Sequence, residues 1–237
     1  MAIQTETFCS KRSDVLAYID EIRAAMELLR DEEIEAGVTM LSSARQAGHT
    51  VYIFGNGGSA ATASHLAVDL ARNAGGDRAR PLRVLSLTDN AAWLTAAAND
   101  DGYENCFADQ LHRLIRPGDL VIGISASGNS ENVLRAFDVA QAARARRLAL
   151  VGFDGGRLAS LATARISVDS HDYGVVESVH VAVCHVLVRM LRKLADEEET
   201  LLAVGEAPAE DILCAGLRGE TRLQDAVGSK RTIAPEF

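Results

Sequence analysis

From about Asp14 to Gly48, apolar residues recur at helical spacing: Val15, Ile19, Ile22, Met26 and Leu29, then Ile34, Val38 and Leu41. That period predicts one or two helices ending at the glycine. The pattern then changes to short, nearly continuous apolar runs: "TVYIF" (50–54), "LRVLSL" (82–87), "DLVIGIS" (119–125), "RLALVGF" (147–153) and "ARISV" (164–168). Such runs suit strands buried on both faces of a parallel sheet. Helical stretches lie between them: "AATASHLAVDLARN", "NAAWLTAAAND" with "YENCFADQLHRLI", and "ENVLRAFDVAQAARA". Strand alternating with helix predicts right-handed crossovers and a doubly wound α/β fold on five parallel strands. In such sheets ligands sit beyond the carboxyl ends of the strands. A final helical segment, about Val175 to Glu199, is apolar on nearly every face as far as Leu194. It should be deeply buried or lie in an oligomer interface. Residues 1–48 therefore read as an N-terminal helical part of one domain, 49–200 as its α/β body, and 201–237 as a polar tail with one short helix at "EDILCAGL".

Composition narrows the class. The chain has 237 residues, 48% of them apolar, enough for one domain with a substantial core. Its net charge of −9 contains no basic block, which argues against nucleic acid as a partner. No apolar run reaches membrane-spanning length, and "MAIQTETFCSKRSDVLAYIDEI" lacks the basic-then-apolar order of a secretory leader. The expectation is a cytoplasmic protein without a membrane partner. Cys9, Cys106, Cys184 and Cys214 form no CxxC and read as reduced thiols, Cys184 in the core.

Two loops suggest an anion. "GNGGS" (55–59) follows the first strand and opens a helix, where glycines allow close backbone approach and the first free amides attract negative charge. "GISASGNSENV" (123–133) repeats the design after the third strand, with Ser125, Ser127 and Ser130 around Gly128-Asn129. Three hydroxyls beside helix-start amides make a phosphate cup with no basic residue of its own. No Walker motif is present, nor a GxGxxG with its distant acidic residue, so a nucleotide or dinucleotide site is not expected. Either loop alone could be an ordinary capped turn. The pair, at successive strand ends of one sheet, favours a ligand.

A metal constellation is also present. His65 and Asp69 stand at i and i+4 on the helix after the glycine loop and share a face. Glu177 and His185, eight residues apart on the last helix, lie on roughly one side. Two histidines and two carboxylates suit zinc. An i, i+4 His–Asp pair is more often a plain helix-surface pair. His180, three residues from Glu177, competes with His185, and spacing does not choose between them.

"GNGGSAATASHLAVDL", "SLTDNAAWLTAAANDDGYE", "LVIGISASGNSENVLRA", "LALVGFDGG" and "ESVHVAVCHVLVRML" together resemble the SIS (sugar isomerase) domain family, most closely its phosphoheptose isomerases. Those enzymes convert sedoheptulose 7-phosphate to D-glycero-D-manno-heptose 7-phosphate. The likeness covers about residues 15–195 and implies a flavodoxin-like fold, usually as a homotetramer with sites between subunits. It implies substrate contacts at Asn56, Gly57, Gly58, Asn99, Asp100, Ser125, Ser127 and Ser130, and a backbone contact at Ala126, where the family has Thr. Asp69 and Glu177 would touch substrate as well. It places one zinc per subunit on His65, Asp69, Glu177 and His185, favouring His185 over His180. The family commonly has Glu at position 69, Gln at 177 and Asp at 174, where this chain has Asp69, Glu177 and Gly174.

The resemblance implies a proton moved between C1 and C2 through an enediol. His185 and Asp69 inherit the proton shuttling, and Glu177 offers a second base. Asp69 is one methylene shorter than the family's Glu, about 1.5 Å less reach. Two other classes compete: a non-enzymatic SIS protein that senses sugar phosphate or binds the replication initiator, and an isomerase of another sugar phosphate. Retention of both His65 and His185 argues for the enzyme.

Overall fold

The computed structural model describes residues 6–74 and 81–204. The tail expected after residue 200 lies outside them from residue 205 on. Helices α1 (Glu6–Glu27) and α2 (Asp31–Ala47) precede β1 (Thr50–Gly55), α3 (Gly58–Asn73) and β2 (Arg83–Ser86). Then come α4 (Ala91–Asp100), a 3-10 turn (Tyr103–Asn105), α5 (Cys106–Leu114), β3 (Leu120–Ser125) and α6 (Glu131–Ala142). β4 (Arg146–Val151), α7 (Gly156–Leu161), β5 (Ala164–Ser167) and α8 (Tyr173–Val204) complete the order.

The five strands pair in parallel in the order β2-β1-β3-β4-β5, the flavodoxin-like doubly wound topology expected above. The order reverses between β1 and β3, which directs the carboxyl ends of these two strands to a shared crevice. Side-chain alternation explains the three layers. Val51 and Ile53 of β1, with Ile122 and Ile124 of β3, join a core under α2, α3 and α8. Tyr52, Phe54 and Val121 face the other way and pack with Phe107 of α5 and Phe137 of α6. Phe54 meets Phe137 edge-on at 6.2 Å and Phe107 at 5.2 Å.

Several boundaries differ from the sequence expectation, each for a local reason. The N-terminal segment is the two-helix alternative, broken at Leu28–Arg30, and α2 stops at Gly48 as expected, where that residue takes a left-handed conformation (φ 71°). β4 ends at Val151, since Phe153 has φ 52° and cannot continue a strand. The six-residue α7 was not expected. α8 begins at Tyr173 because the Asp172 carboxylate accepts from the Val175 amide at 2.9 Å.

The region Tyr173–Thr200 is long and apolar enough to cross a membrane by length and composition, against the expectation that no run would be. Half of that stretch is buried within the fold, as in the core helix of a globular protein. Val176, Val179, Val183 and Leu187 form its inward stripe. Cys184 is buried, as expected.

Candidate active site

The crevice at the β1/β3 switch point is bounded by the glycine loop, the serine loop and the start of α8. α3 and α8 lie side by side on one face of the sheet and run in the same direction, with Gly58 beside Glu177 and Asp69 beside His185. This alignment joins residues 116 positions apart. His65 Nε2 is 3.3 Å from Asp69 Oδ2, and His185 Nδ1 is 3.4 Å from the same oxygen. The two imidazoles meet edge-on with centroids 4.9 Å apart.

These three side chains each offer a donor atom within 4.8 Å of the others. Ligands about 2.1 Å from a tetrahedral zinc stand about 3.4 Å from one another, so both close distances suit a metal. Two imidazoles and one carboxylate are also a zinc-competent donor set. Glu177, the fourth expected ligand, is not in the cluster. Its carboxylate rests against the α-carbon of Gly58, at the start of α3. His180, the competitor, is only 1% exposed, in the inward stripe of α8. Neither of its ring nitrogens has a hydrogen-bond partner. Burial pushes its pKa down to about 4, opposed in part by the backbone of Val151. The core thus keeps His180 neutral, and it is not among the groups that converge on His65 and Asp69.

The serine loop forms the other wall. Ser125 and Ser130 hydroxyls stand 3.2 Å apart. Ser130 sits at the N-cap of α6 yet makes no side-chain cap, which leaves its hydroxyl for another partner. Ser127 Oγ accepts from the Asn129 amide at 3.3 Å. Ala126, where the family has Thr, is buried in the core. The loop is braced from behind. Gly128 (φ 64°) packs directly on the Gly155 carbonyl, and Leu158 donates its amide to the Gly128 carbonyl at 2.9 Å. A cation unforeseen from sequence also lies nearby. Arg157 of α7 contacts Glu131 at 3.1 Å, with Arg135 on the same carboxylate. Arg135 chiefly, then Arg157, holds Glu131 below the usual carboxylate range.

Asn56 of the glycine loop is hydrogen-bonded to Asn132 of α6 and to Tyr103. Neither partner carried a sequence signal, since each lies in a different loop or helix. Asn99 and Asp100 end α4 as an exposed pair, with Asn99 Nδ2 donating to Asp100 Oδ1 at 2.8 Å. Gly174 lies beside the Tyr18 hydroxyl, 2.8 Å from where a Cβ would stand. The ring of α1 therefore occupies the space in which the family's Asp would begin.

The SIS domain model matches residues 17–155, more than half of the chain. The chain belongs to the SIS domain family, among its phosphoheptose isomerases. It is 38% identical over 183 residues to the phosphoheptose isomerase of Geotalea daltonii, covering 76% of this chain and 95% of that protein. It is 36% identical over 178 residues to a probable phosphoheptose isomerase of Thermoplasma acidophilum, covering 75% and 97%. The structure of a phosphoheptose isomerase from Francisella tularensis superposes with a TM-score of 0.72 at 25% identity, over 79% of this chain and 98% of that one. The Neisseria gonorrhoeae enzyme gives 0.69 at 27%, over 77% and 96%. Among phosphoheptose isomerases, then, this chain spans nearly the whole length of its relatives.

Proposed function

We propose that the protein interconverts sedoheptulose 7-phosphate and D-glycero-D-manno-heptose 7-phosphate. The observation that carries this reading is the convergence of His65, Asp69 and His185 from two helices, and a serine loop whose hydroxyls precede the first amides of α6 supports it. The relatives' names supply the substrate. The Ser125, Ser127 and Ser130 hydroxyls and the first amides of α6 would hold the phosphate, and its binding energy would orient the sugar chain toward α3 and α8. Asn56, Gly57 and Gly58 would line the reacting end, with Asn99 and Asp100 beside them.

His65, Asp69 and His185 would hold zinc, one per subunit, with Glu177 completing the set after a side-chain rotation. When bound, zinc supplies positive charge that lowers the cost of negative charge developing on the sugar oxygens. The protein's own groups carry the proton. His185 and Asp69 are the pair assigned to take it from one carbon of C1 and C2 and return it to the other. Glu177 is free of any ion pair among the described residues and its carboxylate lies at Gly58 at the start of α3, so it can take the part that the shorter Asp69 does not reach.

The assembly we propose is a homotetramer. The outward stripe of α1 and the exposed Val68 and Val186 beside the histidines support it. A phosphorylated sugar is an intracellular metabolite, so the cytoplasm is the proposed place of work. The test is to incubate the purified protein with sedoheptulose 7-phosphate, with and without zinc, and follow the aldose by NMR. Formation of the aldose heptose phosphate is expected; its absence in both samples overturns the reading.

A further inference from the structure

The Asn56 amide is tied at both of its polar atoms. Its Oδ1 accepts from Tyr103 Oη at 2.8 Å and from Asn132 Nδ2 at 2.8 Å. Its Nδ2 donates to Asn132 Oδ1 at 2.9 Å. An Asn side chain can be reversed with little change of shape, so what matters is which groups forbid the reversal. Asn132 is buried, and its oxygen also accepts from the Val133 amide at 3.0 Å. That amide is shared with the Ser130 carbonyl at 3.0 Å, but a backbone N–H cannot accept, so the oxygen of Asn132 and not its Nδ2 faces it. Its Nδ2 is then directed to Asn56 and to Cys106 Sγ at 3.4 Å. If Asn56 were reversed, its oxygen would meet the Asn132 oxygen. One backbone amide of α6 therefore sets the polarity of two side chains in series.

The consequence lies at the mouth of the crevice. Both lone pairs of Asn56 Oδ1 are occupied, and Asn132 takes one of the two Nδ2 protons. Among the described residues no acceptor takes the other. Beside it, Gly57 (φ 55°) has no atom within 4 Å of where a Cβ would stand, so the space is open to a ligand. Asn56 can act toward that space only as a donor.

We propose that Asn132 and Tyr103 are positioning residues that hold Asn56 as an obligate hydrogen-bond donor to the oxygen that becomes anionic when a sugar phosphate passes through its enediolate. This rests on the placement of substrate at the glycine loop proposed above. A donor fixed before reaction favours the anionic oxygen more than the neutral carbonyl or hydroxyl. Tyr103 remains a protonated phenol, since burial and the neighbouring Cys106 raise its pKa.

The experiment compares two ligands by calorimetry. One is a sugar-acid hydroxamate phosphate, which mimics the enediolate; the other is the corresponding sugar-alcohol phosphate, which has no anionic or carbonyl oxygen at that end. The parent should prefer the hydroxamate. Asn132→Leu, which cannot reach the ligand, should reduce that preference about tenfold, the scale of one hydrogen bond to a charged group. Affinity for the alcohol should hold. Asn132→Asp keeps the shape but sets a second oxygen against Asn56 Oδ1 in place of the donating Nδ2, so it should reduce the preference as Asn132→Leu does. An unchanged preference in Asn132→Leu, or equal loss of both ligands, overturns the proposal. Should Asn132→Leu fail to fold, Tyr103→Phe, at an exposed ring, decides by the same ratio. A parent that binds neither ligand removes the substrate placement itself, and this proposal falls with it.

Discussion

The Glu177 carboxylate of α8 lies against the α-carbon of Gly58 at the start of α3, inside the space that any Cβ there would fill. The contact is with the far end of a flexible side chain, so Gly58→Ala should move Glu177 and leave the fold standing. Glu177→Gln keeps the shape and removes the base. If Glu177 takes part in proton transfer, Glu177→Gln should lower kcat about 100-fold, within the range of general acid–base groups, while zinc content is retained. Gly58→Ala should lower kcat in the same direction, with a melting temperature near the parent's. Parent-like turnover in Glu177→Gln would leave proton transfer to Asp69 and His185 alone.

The two histidines that face Asp69 should carry the metal. His65→Ala and His185→Ala each remove one of three converging donors and should strip zinc measured by atomic absorption. Asp69→Asn should weaken zinc retention as well, by removing the one negative charge shared by both imidazoles. His180→Leu should leave metal content unchanged, because its ring lies in the core. Loss of zinc in His180→Leu with retention in His185→Ala would reverse the assignment.

His180 should instead report in stability against pH. Its folded pKa, about 4, lies below the ordinary 6.5 of an unfolded chain. Between those values the unfolded chain binds a proton that the folded one does not, so stability rises with pH through this window. The contribution is full above pH 6.5 and falls by about 3 kcal/mol as pH drops to 4. Urea unfolding of the parent and of His180→Leu at pH 7 and pH 5 tests this. The variant should lose less stability on acidification than the parent, and parallel losses would contradict it.

How much of this site could be read in the sequence follows from distance along the chain. The His65–Asp69 pair was legible because one helical turn relates them. The serine loop was legible because its hydroxyls lie within six residues after a strand. The choice between His180 and His185 was not: spacing on α8 says nothing about which stripe faces the sheet until Val176, Val179 and Val183 are packed. The Asn56–Asn132–Tyr103 lock joins three separate segments, and α7 is shorter than any window in which periodicity can be seen. The break between α1 and α2 was left open for the same reason, as the apolar period runs through it at Leu28 and Leu29.

The serine loop should act on binding more than on stability. Ser127→Ala and Ser130→Ala should each weaken binding of the phosphorylated sugar by about 1–3 kcal/mol, the scale of a hydrogen bond to a charged group. Ser130→Ala should change the melting temperature little, because its hydroxyl does not cap α6 and its contact is with the Ser125 hydroxyl at 3.2 Å. Sedoheptulose without its phosphate should be a very poor substrate. Equal kcat/KM for the two sugars would remove the phosphate anchor.

The assembly can be tested through α1. This helix uses Ile22 and Ala25 against the core, followed by Leu29 of the break, with Tyr18 Oη 3.4 Å from Ser178 Oγ on α8. Val15 and Ile19, 59% and 52% exposed, lie one turn apart and are left uncovered by the described residues. Val68 and Val186, each next to a residue of the histidine cluster, are exposed as well. Apolar stripes of this kind are covered in a symmetric oligomer, where each chain offers the same patch to its neighbour. Light scattering should therefore give a homotetramer at micromolar concentration. Val15→Glu with Ile19→Glu places two like charges where the stripe would close, so the double variant should run as a smaller species while circular dichroism stays parent-like. If neighbouring subunits complete the site beside Val68 and Val186, that smaller species should also lose most of its turnover. A parent that is monomeric and fully active would show that one chain holds the whole site.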